Sequence, residues 1–330
     1  MKDKILTLFY MLAYHVGIFK CMYFFSRNEP TIVTYHNVLP DSHFEEDLLH
    51  LGVSCQESAF NKQLEVINRR FTVVTDDVNI KYSCLITFDD GYRNNFLVAV
   101  PSLESFDFKG IFFVPSCYFE DGRKTLWVDR LLMWVSYIPT GVYEILSLKF
   151  DIANKKDRFS LWAYIYESIL KNFNLVDKLL METEAQYSYE CIIQSIDAAL
   201  YDSRFTGLIS SELDEMKKQG HKIACHSYDH PILSSLTTRD LNVDFERCDQ
   251  FKDKYNSNFY SYPFGGVKEV SQREKRCVER KGYSRAFVNY DVKNKGPYWV
   301  GRITLGNLTN KYRIEAKLCG FEKLMKQIFK

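Results

Sequence analysis

Apolar and polar positions along the chain fall into two alternating patterns. Short β-branched or aromatic runs at 31–35, 71–75, 84–88, 111–114, 222–225, 259–262, 285–288 and 299–303 read as strands. Between them, charged stretches with helical spacing occupy 56–70, 94–105, 211–219, 238–255 and 272–281. Gly220 and Gly282 follow two of these stretches directly behind basic residues, as helix C-caps do. The strands are too apolar to keep one face in water, and helices separate them. That predicts parallel pairing, in a parallel sheet or an α/β barrel. Residues 120–207 break the rhythm: they read as helical with few strand signals. An insertion of that size between two barrel strands sits most simply over one end, as a cap.

The first 29 residues form a unit of their own. Residues 5–19 are apolar except for Thr7 and His15, and Ile5, Leu8, Phe9, Leu12, Val16, Phe19 and Tyr23 share one helical face. Fifteen helical residues reach about 22 Å, short of a ~30 Å hydrocarbon core. No small-x-small site follows, so a removed signal peptide is not expected. Three readings remain for residues 5–25: a helix packed on the domain, a helix lying in a membrane surface, or a spanning anchor. The expected organisation is an apolar helix over 1–29 and a barrel over 30–330.

Composition narrows the function. With 43 basic and 42 acidic side chains the net charge is +1, which excludes a polybasic field for nucleic acid. The nine cysteines are scattered with no C-x-x-C pair, so neither a disulfide scaffold nor a zinc ribbon is expected. Free thiols in apolar runs predict a reducing compartment, the cytoplasm or the inner face of its membrane.

Candidate chemistry gathers where predicted strands end. After 84–88 come Asp89, Asp90 and Gly91; paired carboxylates leaving a buried strand need a cation or protons to share. A solvated Asp-Asp-Gly turn would read the same way. After 222–225 come His226 and His230, whose i, i+4 spacing suits a divalent ion with open coordination positions. The third end, Tyr262-Pro263-Phe264-Gly265, fixes the backbone and lets a substrate approach a main-chain N–H.

In that order, Thr87-Phe88-Asp89-Asp90-Gly91, His226-Ser227-Tyr228-Asp229-His230-Pro231 and Tyr262-Pro263-Phe264-Gly265 resemble the motifs of the polysaccharide deacetylase family (NodB-homology domain, carbohydrate esterase family 4). The resemblance covers roughly residues 30–115 and 207–305. It implies a distorted, TIM-like (β/α) barrel of seven or eight strands with a helical insertion. It further implies a metal-dependent hydrolase that removes N-acetyl groups from an aminosugar of a polysaccharide or lipid-linked glycan. Carried over by residue, Asp89 is the general base, and Asp90, His226 and His230 hold one divalent ion, commonly Zn2+. The Phe264 N–H helps to hold the oxyanion, and Tyr262 and Pro263 face substrate.

Two positions depart from the pattern. Where the family often has an arginine supporting the catalytic carboxylate, this chain has Ser261, and Arg302 is the expected substitute. No histidine follows His230, so the usual general acid has no match; His36, at the end of the first predicted strand, is the expected replacement. In the insertion, Trp127, Asp129, Arg130 and Trp134 are candidates to line a saccharide cleft, although Trp127, Leu131 and Trp134 share a spacing that also suits a core. Two rival functions share these motifs: a deformylase of a lipid-linked aminosugar, and an inactive glycan-binding barrel.

Overall fold

The computed structural model describes residues 2–46, 53–76, 80–121, 124–292 and 294–328. Seven parallel strands carry the fold: β1 (Thr31–Tyr35), β2 (Ser83–Phe88), β3 (Ile111–Val114), β4 (Lys222–Cys225), β5 (Phe259–Ser261), β6 (Arg285–Phe287) and β7 (Ile303–Thr304). Their order across the sheet is 6-5-4-3-2-1-7, so chain neighbours are sheet neighbours from β1 to β6, β7 returns to pair with β1, and the short strand Thr72–Val73 pairs with the start of β2. The sheet curls until its edges approach. Val288 and Val300 exchange backbone bonds with each other's segments, Val288 N–H to Val300 O at 2.9 Å and Val300 N–H to Ala286 O at 3.0 Å.

Period-two alternation sorts the strand side chains into two layers. Ile32, Leu85, Ile111, Phe113, Ala224, Phe259, Phe287 and Val300 fill the inside of the curl. Their neighbours Val33, Ile86, Phe112, Ile223, Tyr260 and Ala286 face outward into a larger core beneath the helices. The expected barrel architecture is thus present, curled rather than evenly closed.

Four expectations need correction. The strand expected over 299–303 is shorter and shifted to Ile303–Thr304. Val300 pairs with β6, the Arg302 N–H bonds Tyr290 O at 3.1 Å, and only then does the chain turn to β1. The helix expected over 238–255 is divided at Cys248 into Thr238–Arg247 and Asp249–Tyr255. The single N-terminal helix is two, Lys2–His15 and Ile18–Ser26, because Gly17 adopts a left-handed backbone (φ 85°) that only glycine enters freely.

The insertion differs most. Helices Trp127–Tyr137, Lys155–Lys171, Leu175–Gln186, Tyr189–Ser195 and Ala198–Phe205 are joined by an unexpected antiparallel hairpin, Gly141–Ile145 with Leu148–Ile152. Its two-residue turn places Leu146 and Ser147 at φ 50° and 66°. Such turns usually announce themselves through Asn-Gly or Asp-Gly, and this one lacks both. The insertion has a core of its own around Leu131, Trp134, Ile165, Leu179 and Ile192.

Candidate active site

The ends of β1, β2, β4 and β6, and the loop after β5, surround a cavity of about 320 Å³. Its barrel side presents His36, Asp89, Asp90, His226, His230, Phe264 and Asn289; its opposite wall comes from the insertion, through Val128, Asp129, Leu132, Trp162, Tyr166 and Arg204. The backbone that aims the barrel groups is strained. Asp90, Ser227, His230 and Phe264 all have positive φ, at 70°, 63°, 52° and 60°. Non-glycine residues reach that region at a cost of about 1–3 kcal/mol each, so the surrounding packing must over-determine them. Gly91 continues the turn after Asp90 at φ 60°, and a Cβ there would stand 2.9 Å from Val114 Cγ1. Strand packing therefore leaves no room for a side chain beside the two carboxylates.

One candidate ligand atom from each of Asp90, His226 and His230 lies within 4.8 Å of the other two, and all three residues are buried. The Nε2 atoms of both histidines stand 3.2 Å from the same oxygen, Asp90 Oδ1. His226 Nδ1 sits 2.8 Å from the Ser261 carbonyl, which can only accept, so Nδ1 carries the hydrogen. A neutral His226 then points the Nε2 lone pair at a carboxylate oxygen. That contact repels unless a cation or a proton lies between the two atoms. His230 Nδ1 is buried and finds no hydrogen-bond partner among the described residues. Two imidazoles and one carboxylate, with one ring fixed by a carbonyl behind it, match the donor set of a divalent ion with open positions.

Electrostatics reflect the crowding. Burial pushes the Asp90 carboxyl up, but His230 and the hydrogen bonds from both histidines bring it well below the usual range. Burial opposes charging of His230, yet Asp90 holds its pKa above the ordinary value.

Asp89 has a different neighbourhood. Arg302, completely buried, reaches it with both terminal nitrogens, Nη1 to Oδ1 at 2.7 Å and Nη2 to Oδ2 at 2.6 Å. The guanidinium is fixed in turn by the Val288 carbonyl, Thr87 Oγ1 and Ser261 Oγ at 3.1, 3.2 and 3.0 Å. Ser261 also donates to Asp89 Oδ2 at 3.3 Å. Arg302 thus arrives from β7's approach to occupy the space beside Ser261. Burial raises the Asp89 pKa, but Arg302 and then His226 more than offset it, so the carboxyl stays ionised.

His36 lines the cavity with Nε2 3.4 Å from the Asn289 amide nitrogen. Burial holds its imidazole below the ordinary value, while Asp90 and Asp89 pull the other way. Phe264 presents its ring to the cavity, 5.0 Å from the His230 ring. Trp127 is mostly core: its ring stacks 6.1 Å from Phe264 and its indole N–H bonds the His230 carbonyl at 3.2 Å. It therefore braces the histidine loop.

Tyr262 and Pro263 do not face the cavity. Both are buried, and the Tyr262 hydroxyl donates to the Tyr298 carbonyl at 3.2 Å, so the expectation of substrate contact is corrected. The Tyr262 backbone is still structural, bonding Phe287 O at 3.1 Å to hold β5 against β6.

Of the insertion's candidates Asp129 lines the cavity while Arg130 and Trp134 do not, and several further cavity residues escaped the sequence. Asn289 follows the end of β6 by two residues, a position that strand-end reasoning would have flagged. Tyr92, Asp129 and Arg204 form a buried cluster joining barrel to insertion: the Tyr92 hydroxyl donates to Asp129 at 2.8 Å and Arg204 Nη1 pairs with it at 3.2 Å. Burial lifts the Asp129 carboxyl to about 6 despite Arg204. Trp162 and Tyr166 carried no signal beyond helical spacing.

Comparison with known proteins agrees with this fold. The family model for polysaccharide deacetylase matches residues 172–283. The structure is similar to that of the Streptococcus pyogenes deacetylase PplD in complex with acetate (TM-score 0.56, 14% identity, covering 87% of this chain and 97% of that one). It is also similar to a polysaccharide deacetylase from Bacillus cereus (TM-score 0.52, 13% identity, 87% and 68% covered). No curated protein matches the chain in sequence. At these identities the structural likeness speaks for the fold, and the sequence match to the polysaccharide deacetylase model covers about a third of the chain.

Proposed function

We propose that the protein is a metal-dependent N-deacetylase acting on an aminosugar of a glycan, with Zn2+ as the ion. The observation that carries this reading is the meeting of Asp90, His226 and His230 around one point, beside an ionised Asp89 clamped by Arg302. A divalent ion held by those three residues would supply Lewis acidity toward an acyl oxygen and toward water. Asp89 would take a proton from the attacking water, its carboxylate kept in place by two charge-assisted bonds. His36 would return a proton to the departing amine nitrogen; an imidazole with a lowered pKa releases its proton readily once charged. The insertion's aromatic wall, Trp162 and Tyr166, would hold the sugar and exclude water from the far side.

Acetate and formate released from a panel of N-acylated glycans, with and without chelator, test the reading. Acetate should appear, stop on chelation and return with Zn2+. Formate in its place would assign the deformylase. No product from the metal-loaded protein would leave a glycan-binding barrel.

A further inference from the structure

The two N-terminal helices are apolar on both sides. Their inner side is docked on the barrel. Tyr10, Ala13, Phe19 and Tyr23 are buried, the Phe9 and Phe19 rings meet Phe321 at 5.7 and 5.2 Å, and the Tyr23 hydroxyl donates to the Glu315 carbonyl at 3.4 Å. Arg70 bonds the Tyr14 hydroxyl at 3.2 Å from the other flank.

The outer side should then be polar, as it is on helices that lie against a soluble domain. It is not. Leu8, Leu12 and Val16, spaced i, i+4, i+8, are 60%, 61% and 63% exposed, and Phe25 on the next helix is 79% exposed. Of the large apolar side chains that are exposed among the described residues, eight of nineteen lie between Leu6 and Phe25. The last helix, Phe321–Ile328, joined to the pair through Phe321, adds exposed Leu324 and Ile328.

Charge indicates the occupant. From residue 5 to residue 28 the sequence has no acidic side chain, while Lys20 and Arg27 lie within that stretch. Arg27 rests its guanidinium 3.8 Å from the Phe24 ring centroid. An apolar ridge on a segment that carries two cations and no carboxylate suits the boundary zone of a bilayer with anionic headgroups. Crossing the bilayer is a poorer fit. No single described helix is long and apolar enough to span, the two together are bent by 72°, and spanning would strip Tyr10, Phe19 and Tyr23 from the barrel.

We propose that the outer ridge of this bent helix pair, Leu8, Leu12, Val16 and Phe25, enters the interfacial layer of an anionic membrane while the inner ridge stays docked, so that the protein rests on the membrane surface.

Flotation of the full chain with phosphatidylcholine vesicles containing phosphatidylglycerol tests this. The wild-type protein should float. The double variant Leu12→Glu, Phe25→Glu should partition at least about tenfold less, with an unchanged melting temperature, because both side chains already face outward. Wild-type protein left at the bottom of the gradient overturns the proposal, and so does a double variant that floats equally well. A wild-type dimer without lipid that the double variant converts to monomer would assign the ridge to a second copy instead. The readout is lipid binding, so it stands or falls independently of acetate release.

Discussion

The barrel and the insertion build facing walls of one cavity by different means. On the barrel wall, Asp90, His230 and Phe264 sit on positive-φ backbone in loops at strand ends. On the insertion wall, Val128, Asp129, Leu132, Trp162, Tyr166 and Arg204 all come from regular helices packed around a separate core. Strained loops on a rigid sheet can converge three ligand atoms on one point, which helical spacing alone does not arrange. Unstrained helices offer shape and apolar area, which tolerate substitution more readily. Under the proposed function, reaction chemistry falls to one wall and substrate fit to the other.

The largest effect should come from the barrel wall. Asp89→Asn should lower turnover by roughly 10³–10⁴-fold with bound metal unchanged, as metal analysis beside a kinetic assay would show. The same variant removes the counter-charge of buried Arg302, so its thermal transition should fall as well. His36→Ala should cost about 10²–10⁴-fold while the ion stays bound; wild-type turnover would remove the residue from the mechanism.

Arg302→Lys sharpens the contrast through pH. Lysine keeps the charge but loses the two-pronged contact, so the Asp89 pKa should rise toward its ordinary value. A base must be ionised, and the acidic limb of the rate profile should therefore move to higher pH, with about a tenfold lower maximum. An unmoved limb would mean that Arg302 does not set the state of Asp89.

The smallest effect should come from the insertion wall. Trp162→Ala should raise KM several-fold to roughly tenfold and leave kcat nearly unchanged, because it removes binding common to ground and transition states. A large fall in kcat would break the division between the walls.

Much of the site was legible because strand ends are legible. Asp89, Asp90, His226 and His230 each follow a buried apolar run, and residues at the ends of parallel strands share one rim. Arg302 is legible only through the resemblance, as the arginine near another strand end that replaces the one missing at Ser261. Tyr262 misled because it lies in a motif whose backbone matters while its side chain points into the core. The hairpin at 141–152 was missed because its turn uses Leu146 and Ser147, residues without a turn signature.

Local sequence determined the alternation of parallel strands and helices, the break at 120–207 and the carboxylate and histidine positions, since burial periodicity and strand polarity act over a few residues. Tertiary structure alone decided that Arg302 grips Asp89 with both terminal nitrogens, that two histidines share one oxygen of Asp90, and that Trp162, Tyr166 and Arg204 close the cavity. Those contacts join residues far apart in the chain, and their geometry follows from how the sheet curls and where the insertion docks. No short window of sequence contains that information.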